Sequence, residues 1–196
     1  MVLTCFMIKE FFMYNQQQRD QLLQLARDSI SCGLKNSTAL TIKVQDFDSE
    51  LQQNRACFVT LHKNNQLRGC IGSLEAHRAL VLDVCENAYS AAFRDPRFNR
   101  LQENEFDQLV LSISVLTPST EIDFNSEQDL LDKIKPGIDG LILQEGHHRG
   151  TFLPSVWEQL PDPVQFLQYL KIKAGLSASF WSNNIGVSRY QTESFE

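Results

Sequence analysis

The sequence predicts an α+β fold built on mostly antiparallel sheet. Three observations lead there. Helical and strand-like periodicities are mixed along the 196 residues. The two clearest hairpin signals join neighbouring strands, which makes those strands antiparallel. A hairpin followed by a helix can be traced twice, at about residues 55–93 and 141–175. The length suits one domain with its own core. Hydrophobic residues make up 42% of the chain and 13 residues are Phe, which excludes a disordered polypeptide.

Each element has its own signal. Residues 16–34 predict a first helix, because Leu22, Leu23, Ala26 and Ile30 recur at helical spacing and Gly33 suits its end. Residues 37–48 are polar and read as loop. Residues 56–61 read as a strand, Lys63-Asn64-Asn65-Gln66 as a turn, and residues 67–71 as the returning strand. In residues 78–93 the stripe Leu80, Val84, Ala88, Ala91 and Ala92 predicts a helix slim enough to approach a sheet closely, stopped at Asp95-Pro96. Leu109, Leu111, Ile113 and Val115 alternate with Val110, Ser112 and Ser114, the clearest period-two pattern in the chain. Ser126, with Asp129 three residues on, resembles a capping box for a short helix reaching Ile134.

Pro136 to Gly140 predicts a turn and Leu141-Ile142-Leu143 a short strand. Gly146-His147-His148-Arg149-Gly150 reads as a tight loop leading into Thr151-Phe152-Leu153. Pro154 starts a helical turn. Pro163 opens a helix carrying Phe166, Leu167, Leu170 and Ala174, which Gly175 closes. Trp157 and Trp181 are expected to anchor this helix. Residues 187–195 read as one final strand.

Composition narrows the function classes. The formal charge is −6, which weighs against a general nucleic-acid binder. Residues 1–101 carry 12 basic and 10 acidic side chains, whereas residues 102–196 carry 6 and 14. Any anion-binding capacity therefore sits in the first half. No apolar run approaches the roughly 18 residues of a membrane span. Cysteines stand at positions 5, 32, 57, 70 and 85, with no Cys-x-x-Cys. An odd number of unpaired thiols suits the reducing cytoplasm, and no metal site is expected from them. The apolar start of the chain lacks a basic region and reads as an extension or an early start codon, with Met13 a second possible start. No phosphate-loop or His-Glu-x-x-His motif occurs, and no cofactor is expected.

The sharpest chemical candidate is Leu67-Arg68-Gly69-Cys70-Ile71-Gly72. Gly69 and Gly72 permit close ligand approach around the Cys70 thiol, and Arg68 would favour its thiolate. The alternative is that Cys70 is a small buried strand residue, as free cysteines commonly are. Arg94, Arg97 and Arg100 form the densest basic cluster. Their guanidinium groups suit carboxylate or phosphate, unless Asp95 simply pairs with Arg97 while Phe98 anchors the loop in the core. His147 and His148 are adjacent, so on a strand they would point to opposite faces, and His148 is a candidate base for Cys70. Cys57 and Cys85 read as core.

Taken in order, these motifs resemble the AMMECR domain family, whose bacterial members are called AmmeMemoRadiSam system protein A. The matching segments are Leu67 to Gly72, Ala91-Ala92-Phe93-Arg94-Asp95-Pro96-Arg97-Phe98 and Ile113-Ser114-Val115-Leu116. Gly137 to Leu141, Arg149-Gly150-Thr151-Phe152-Leu153-Pro154 and Lys173-Ala174-Gly175-Leu176 continue the match. The resemblance spans about residues 18–195, leaving residues 1–17 as an N-terminal extension to one domain at 18–196. It departs in detail at Ser73, where Thr is common, and at Trp157, where Ala is.

The resemblance implies an AMMECR-like fold: a barrel-like sheet with helices, in two related β–α units forming a larger and a smaller lobe. It also implies a link to a Memo-family protein and a radical S-adenosylmethionine protein. It supplies no established activity. The resulting candidate site comprises Cys70 and His148 for catalysis, with Arg68, Gly69, Gly72, Asp95, Arg97 and Arg149 for a small anionic ligand. A cysteine-dependent activity would lack a complete catalytic set. A non-catalytic interaction or regulatory module is the alternative. Neither a membrane nor a nucleic acid is expected as partner.

Overall fold

A computed structural model describes residues 14–196; residues 1–13, most of the expected extension, lie outside it. The first helix, α1 (Gln16–Asn36), begins at a reciprocal cap. The Asn15 side chain accepts from Gln18 N–H, and the Gln18 side chain accepts from Asn15 N–H. Such a cap is worth about 1 kcal/mol. Leu22, Ala26 and Ile30 face the core as their spacing predicts. Just beyond the polar stretch lies one turn of helix missed by periodicity, α2 (Ser49–Gln52), which buries only Leu51.

The first hairpin joins β1 (Cys57–Lys63) to β2 (Gln66–Gly72). Its two turn residues, Asn64 and Asn65, both take positive φ, 52° and 60°. Asparagine tolerates that conformation, which matches the twist of the flanking strands. The slim helix α3 (Leu80–Phe93) then packs across the hairpin and against α1. The alternating segment forms β3 (Leu109–Leu116), and β8 (Thr192–Phe195) completes a four-stranded antiparallel sheet in the order β2-β1-β3-β8. Cys57, Val59, Leu61, Leu111, Ile113 and Val115 line its covered face with α1 and α3. Its other face carries Phe58, Thr60, His62, Ser112 and Ser114, none of them fully buried.

A second antiparallel sheet has the order β4-β7-β5-β6. It comprises β4 (Thr120–Glu121), β5 (Gly140–Glu145), β6 (His148–Phe152) and β7 (Gly186–Tyr190). Between β4 and β5 lies α4 (Glu127–Lys133), capped by Ser126, whose hydroxyl accepts from Asp129 N–H. The Asp129 carboxylate turns to Asn125 N–H, so the capping box is only half formed. Helix α5 (Pro163–Lys173) packs on this sheet through Phe166, Leu167 and Leu170. Trp157 stacks on Phe166 at 3.7 Å between ring centroids, and Trp181 closes the same cluster.

Two expectations change. The loop expected at residues 146–150 is only the turn Gly146-His147; His148, Arg149 and Gly150 already belong to β6, because glycine and one neighbour suffice for a tight hairpin. The single final strand is two. Gln191 interrupts it, so that β7 pairs in the second sheet and β8 in the first. This crossing ties the sheets together. A small third core lies where they meet: Ala56, Leu116 and Tyr190, with Phe58, Leu74, Ile142 and Leu153 packed on them.

Candidate functional site

The position of Cys70 is decided by one extra residue. From the turn outward, Lys63 pairs with Gln66 and His62 with Leu67, but Leu61 then pairs with Gly69. Arg68 is bulged out. Without the bulge Cys70 would oppose Val59 and face the core. With it, Cys70 opposes Thr60 and stands on the open face, since a one-residue slip moves every side chain to the other side. The Thr60 hydroxyl donates to Cys70 Sγ at 3.3 Å, and the sulfur is half-buried.

The two glycines of the segment answer to packing. A Cβ on Gly69 would lie 2.2 Å from the Ala91 carbonyl oxygen of α3, and one on Gly72 would lie 2.4 Å from Cys57 O. Neither residue has room for a side chain.

Two of the three guanidinium groups expected to hold an anion, those of Arg68 and Arg97, are already engaged by enclosed carboxylates. Arg68, turned aside by the bulge, donates through Nε and Nη2 to the two carboxylate oxygens of Glu105 at 3.1 and 3.0 Å, and again to Asn99 O. The pair is enclosed, with side-chain exposures of 13% and 16%. The remaining Arg68 nitrogen, Nη1, is buried without an acceptor. Held first by Arg68, and also by Lys63 and Gln102 N–H, the Glu105 carboxyl is pulled down to about 2.

Arg97 forms a two-point bond to Asp95, at 2.9 and 2.7 Å. This pair clamps the motif strand. Asp95 Oδ2 accepts from Cys70 N–H at 2.9 Å, and Arg97 Nη2 donates to Cys70 O at 3.1 Å. Strand β2 is an edge strand, and these side chains fill the donor and acceptor that a further strand would take. The Asp95 side chain is 1% exposed, and Arg97 holds its carboxyl well below the usual range. Phe98 does not enter the core. It is half-buried, with Arg97 and Arg68 guanidinium carbons 5.5 and 6.0 Å from its ring centroid.

His148 and Arg149 lie in the other sheet. His148 Nδ1 is 3.2 Å from Ala174 O, at the end of α5, and the His147 ring reaches it across the turn, centroids 4.3 Å apart. Arg149 is paired with Glu75 from the loop after β2, and both are open to solvent, 44% and 68% exposed. Together they border a cleft of about 370 Å³ at the junction of the sheets. Arg55, Leu74, Leu116, Ile142 and Tyr190 line it as well. Arg55 donates to the neutral oxygens Asn54 O and Gln53 Oε1 and also hydrogen-bonds the Tyr14 side chain. Among the described residues it has no carboxylate within 4 Å. Phe58, two residues from Thr60 on the same open face, packs on the small core behind the cleft. The open face bearing Cys70 thus runs toward this junction.

Thr60, His62 and Arg55 were not singled out from sequence. The first two share the Cys70 face only because of the bulge, and Arg55 enters the cleft only because Gln191 sends the chain from one sheet to the other.

A family model described as AMMECR1 matches residues 23–195. The chain belongs to the AMMECR1 family. Protein MJ0810 of Methanocaldococcus jannaschii is 37% identical over 159 residues, 79% of each chain. A relative from Methanothermobacter thermautotrophicus is 36% identical over 187 residues, 93% of this chain and 97% of its own. Among solved structures, protein PH0010 of Pyrococcus horikoshii superposes with a TM-score of 0.82 at 34% identity, covering 93% of both chains.

The AMMECR1 match takes in both the clamped strand β2 and the cleft strand β6. Within this AMMECR1 chain Cys57 and Cys85 are buried thiols. Burial pushes Cys85 up to about 12, and burial with the nearby Asp83 carboxylate raises Cys57 well above the usual value. Among the described residues no group of three His, Cys, Asp or Glu side chains is placed to hold a metal, and no helix is long and apolar enough to cross a membrane.

Proposed function

We propose that this AMMECR1-family chain is a binding component of a Memo and radical S-adenosylmethionine-linked system, working in the cytoplasm. It takes a small anionic ligand in the cleft between its sheets. The partner assignment is supported by the family resemblance. The ligand assignment is supported by one observation: the guanidinium groups of the cleft are available, whereas those of the motif are not. Arg68 and Arg97 face enclosed carboxylates, while Arg149 faces an exposed Glu75 and Arg55 meets neutral groups, amide oxygens and the Tyr14 side chain. An exposed ion pair is worth at most about 1 kcal/mol and exchanges readily for a ligand anion. The apolar wall of Leu74, Leu116 and Ile142 suits a ligand with an apolar body attached to its charge.

Titration calorimetry with phenyl phosphate, inorganic phosphate and phenol tests this. Phenyl phosphate is expected to bind more tightly than either fragment, and Arg149→Gln to weaken it at least tenfold. Binding unaffected by Arg149→Gln and abolished by Arg97→Gln would return the ligand to the motif.

A reactive thiol at Cys70 is the second reading, favoured by the bulge that brings this sulfur to the open face. Residue-resolved alkylation of the native protein is expected to modify Cys70 and to spare Cys57 and Cys85. Modification of all three at one rate would remove the basis for a distinct thiol.

A further inference from the structure

A second surface lies away from the cleft, at the C-terminal ends of α1 and α3. Two adjacent rings of α3, Tyr89 and Phe93, sit 5.0 Å apart between centroids. Each carries an arginine. The Arg94 guanidinium carbon is 4.8 Å from the Tyr89 centroid, and that of Arg100 is 5.3 Å from the Phe93 centroid. Both residues are exposed. Among the described residues neither has a carboxylate within 4 Å, unlike Arg68 and Arg97 beside them. A guanidinium lying on a ring is held against rotation while its edge donors stay free to accept an anion. The rings are themselves fixed. Tyr89 donates its hydroxyl to Ser37 O at 2.7 Å, and Gly33 of α1 leaves no room beside them, since a Cβ there would lie 2.3 Å from the Phe93 ring.

Arg100 also borders a hollow of about 480 Å³. Leu34, Phe93, Leu101 and Phe106 supply its apolar lining, and Lys35 stands at its rim with Arg100. Glu103 is the carboxylate on the same rim. The surface therefore combines preset guanidinium groups with an apolar hollow, on a protein whose formal charge is −6.

We infer that this surface docks an acidic protein segment bearing large apolar side chains, its carboxylates on Arg94, Arg100 and Lys35 and an apolar side chain in the hollow. A nucleic acid fits less well. Glu103 borders the same hollow as Arg100 and Lys35, and a chain of closely spaced phosphates would meet it as well as the cations. Carboxylates spaced by apolar residues avoid that repulsion and use the hollow.

Fluorescence anisotropy with three labelled probes tests the assignment: a peptide alternating glutamate with leucine and phenylalanine, oligoglutamate of equal charge, and single-stranded DNA of equal charge. The mixed peptide is expected to bind at least tenfold more tightly than either polyanion, and its affinity to fall as salt rises. The double substitution Arg94→Gln, Arg100→Gln is expected to lower that affinity at least tenfold with an unchanged circular dichroism spectrum. Phenyl phosphate binding should be untouched by the same substitution, which separates this surface from the cleft. Equal binding of all three probes, tighter DNA binding, or a mixed peptide that binds the double variant as well as the wild type would each overturn the proposal.

Discussion

The strands β2 and β6 occupy the same place in their hairpins, and each carries Arg-Gly. Gly69 lies under α3 and Gly150 lies under α5, where a Cβ would come within 2.2 Å of Ala91 O and 2.8 Å of Ala174 N. The backbone requirement is shared; the use of the arginine is not. Strand β6 keeps a constant register with β5, so Arg149 opposes Gln144 and stands on the open face. In β2 the arginine is itself the bulged residue, diverted to Glu105. The bulge thus diverts the Arg68 guanidinium into a structural pair, whereas the regular register of β6 leaves Arg149 on the open face.

The largest effect is expected at the two glycines beneath the helices. Gly69→Ala forces β2 away from backbone atoms of α3 and is expected to cost about 3 kcal/mol or more, by overpacking that no side-chain rotation relieves. Gly150→Ala should cost clearly less, because its contact is longer. Urea unfolding of the two variants measures both, and equal losses would mean that the two helix–strand contacts are equally tight.

Next comes the clamp. Asp95→Ala leaves the Cys70 N–H without its acceptor and Arg97 without its partner, for an expected loss of about 2 kcal/mol in the same assay. An edge strand indifferent to this change would show that the Asp95–Arg97 pair does not substitute for a neighbouring strand.

Acid should then single out the diverted arginine. The Glu105 carboxyl is held near 2 in the folded chain, against an ordinary 4.5. Its contribution is therefore fully present above about pH 4.5 and is lost as pH falls toward 2. Asp95 acts in the same direction. Thermal melting between pH 6 and pH 2 should show a steep fall for the wild type. For Glu105→Gln the fall should be shallower, starting from a stability lower by about 1–2 kcal/mol at neutral pH. Parallel curves would deny Glu105 this role. The smallest effect belongs to Arg149→Gln, expected within about 0.5 kcal/mol of wild type because its ion pair with Glu75 is exposed.

Much of the fold was legible because it rests on local signals. The stripe from Leu80 to Ala92, the alternation from Leu109 to Val115, the Asn64-Asn65 turn and the prolines opening the later helices all act within a few residues. The short elements escaped for the opposite reason: α2 buries one side chain, and β4 is two residues paired to β7 from across the chain. The motif residues were recognisable, but their roles were not. Whether Cys70 faces core or solvent depends on Arg68 being bulged, and whether Arg68 or Arg149 is available depends on carboxylates at positions 105 and 75. Those partners are set by tertiary packing and leave no periodic trace. Asp95 and Arg97 came nearest to being readable, since their pairing is local, but their joint hold on Cys70 spans more than twenty residues.

If the cleft is the ligand site, Arg149 exchanges its exposed ion pair with Glu75 for the ligand while Arg68 keeps its enclosed pair with Glu105. Arg68→Gln and Arg149→Gln, each followed by urea unfolding and by phenyl phosphate titration, test it directly. Arg68→Gln should lose stability and, while folded, keep its affinity; Arg149→Gln should keep its stability and lose affinity at least tenfold. The reverse pattern, with ligand affinity following Arg68 and stability following Arg149, would contradict it.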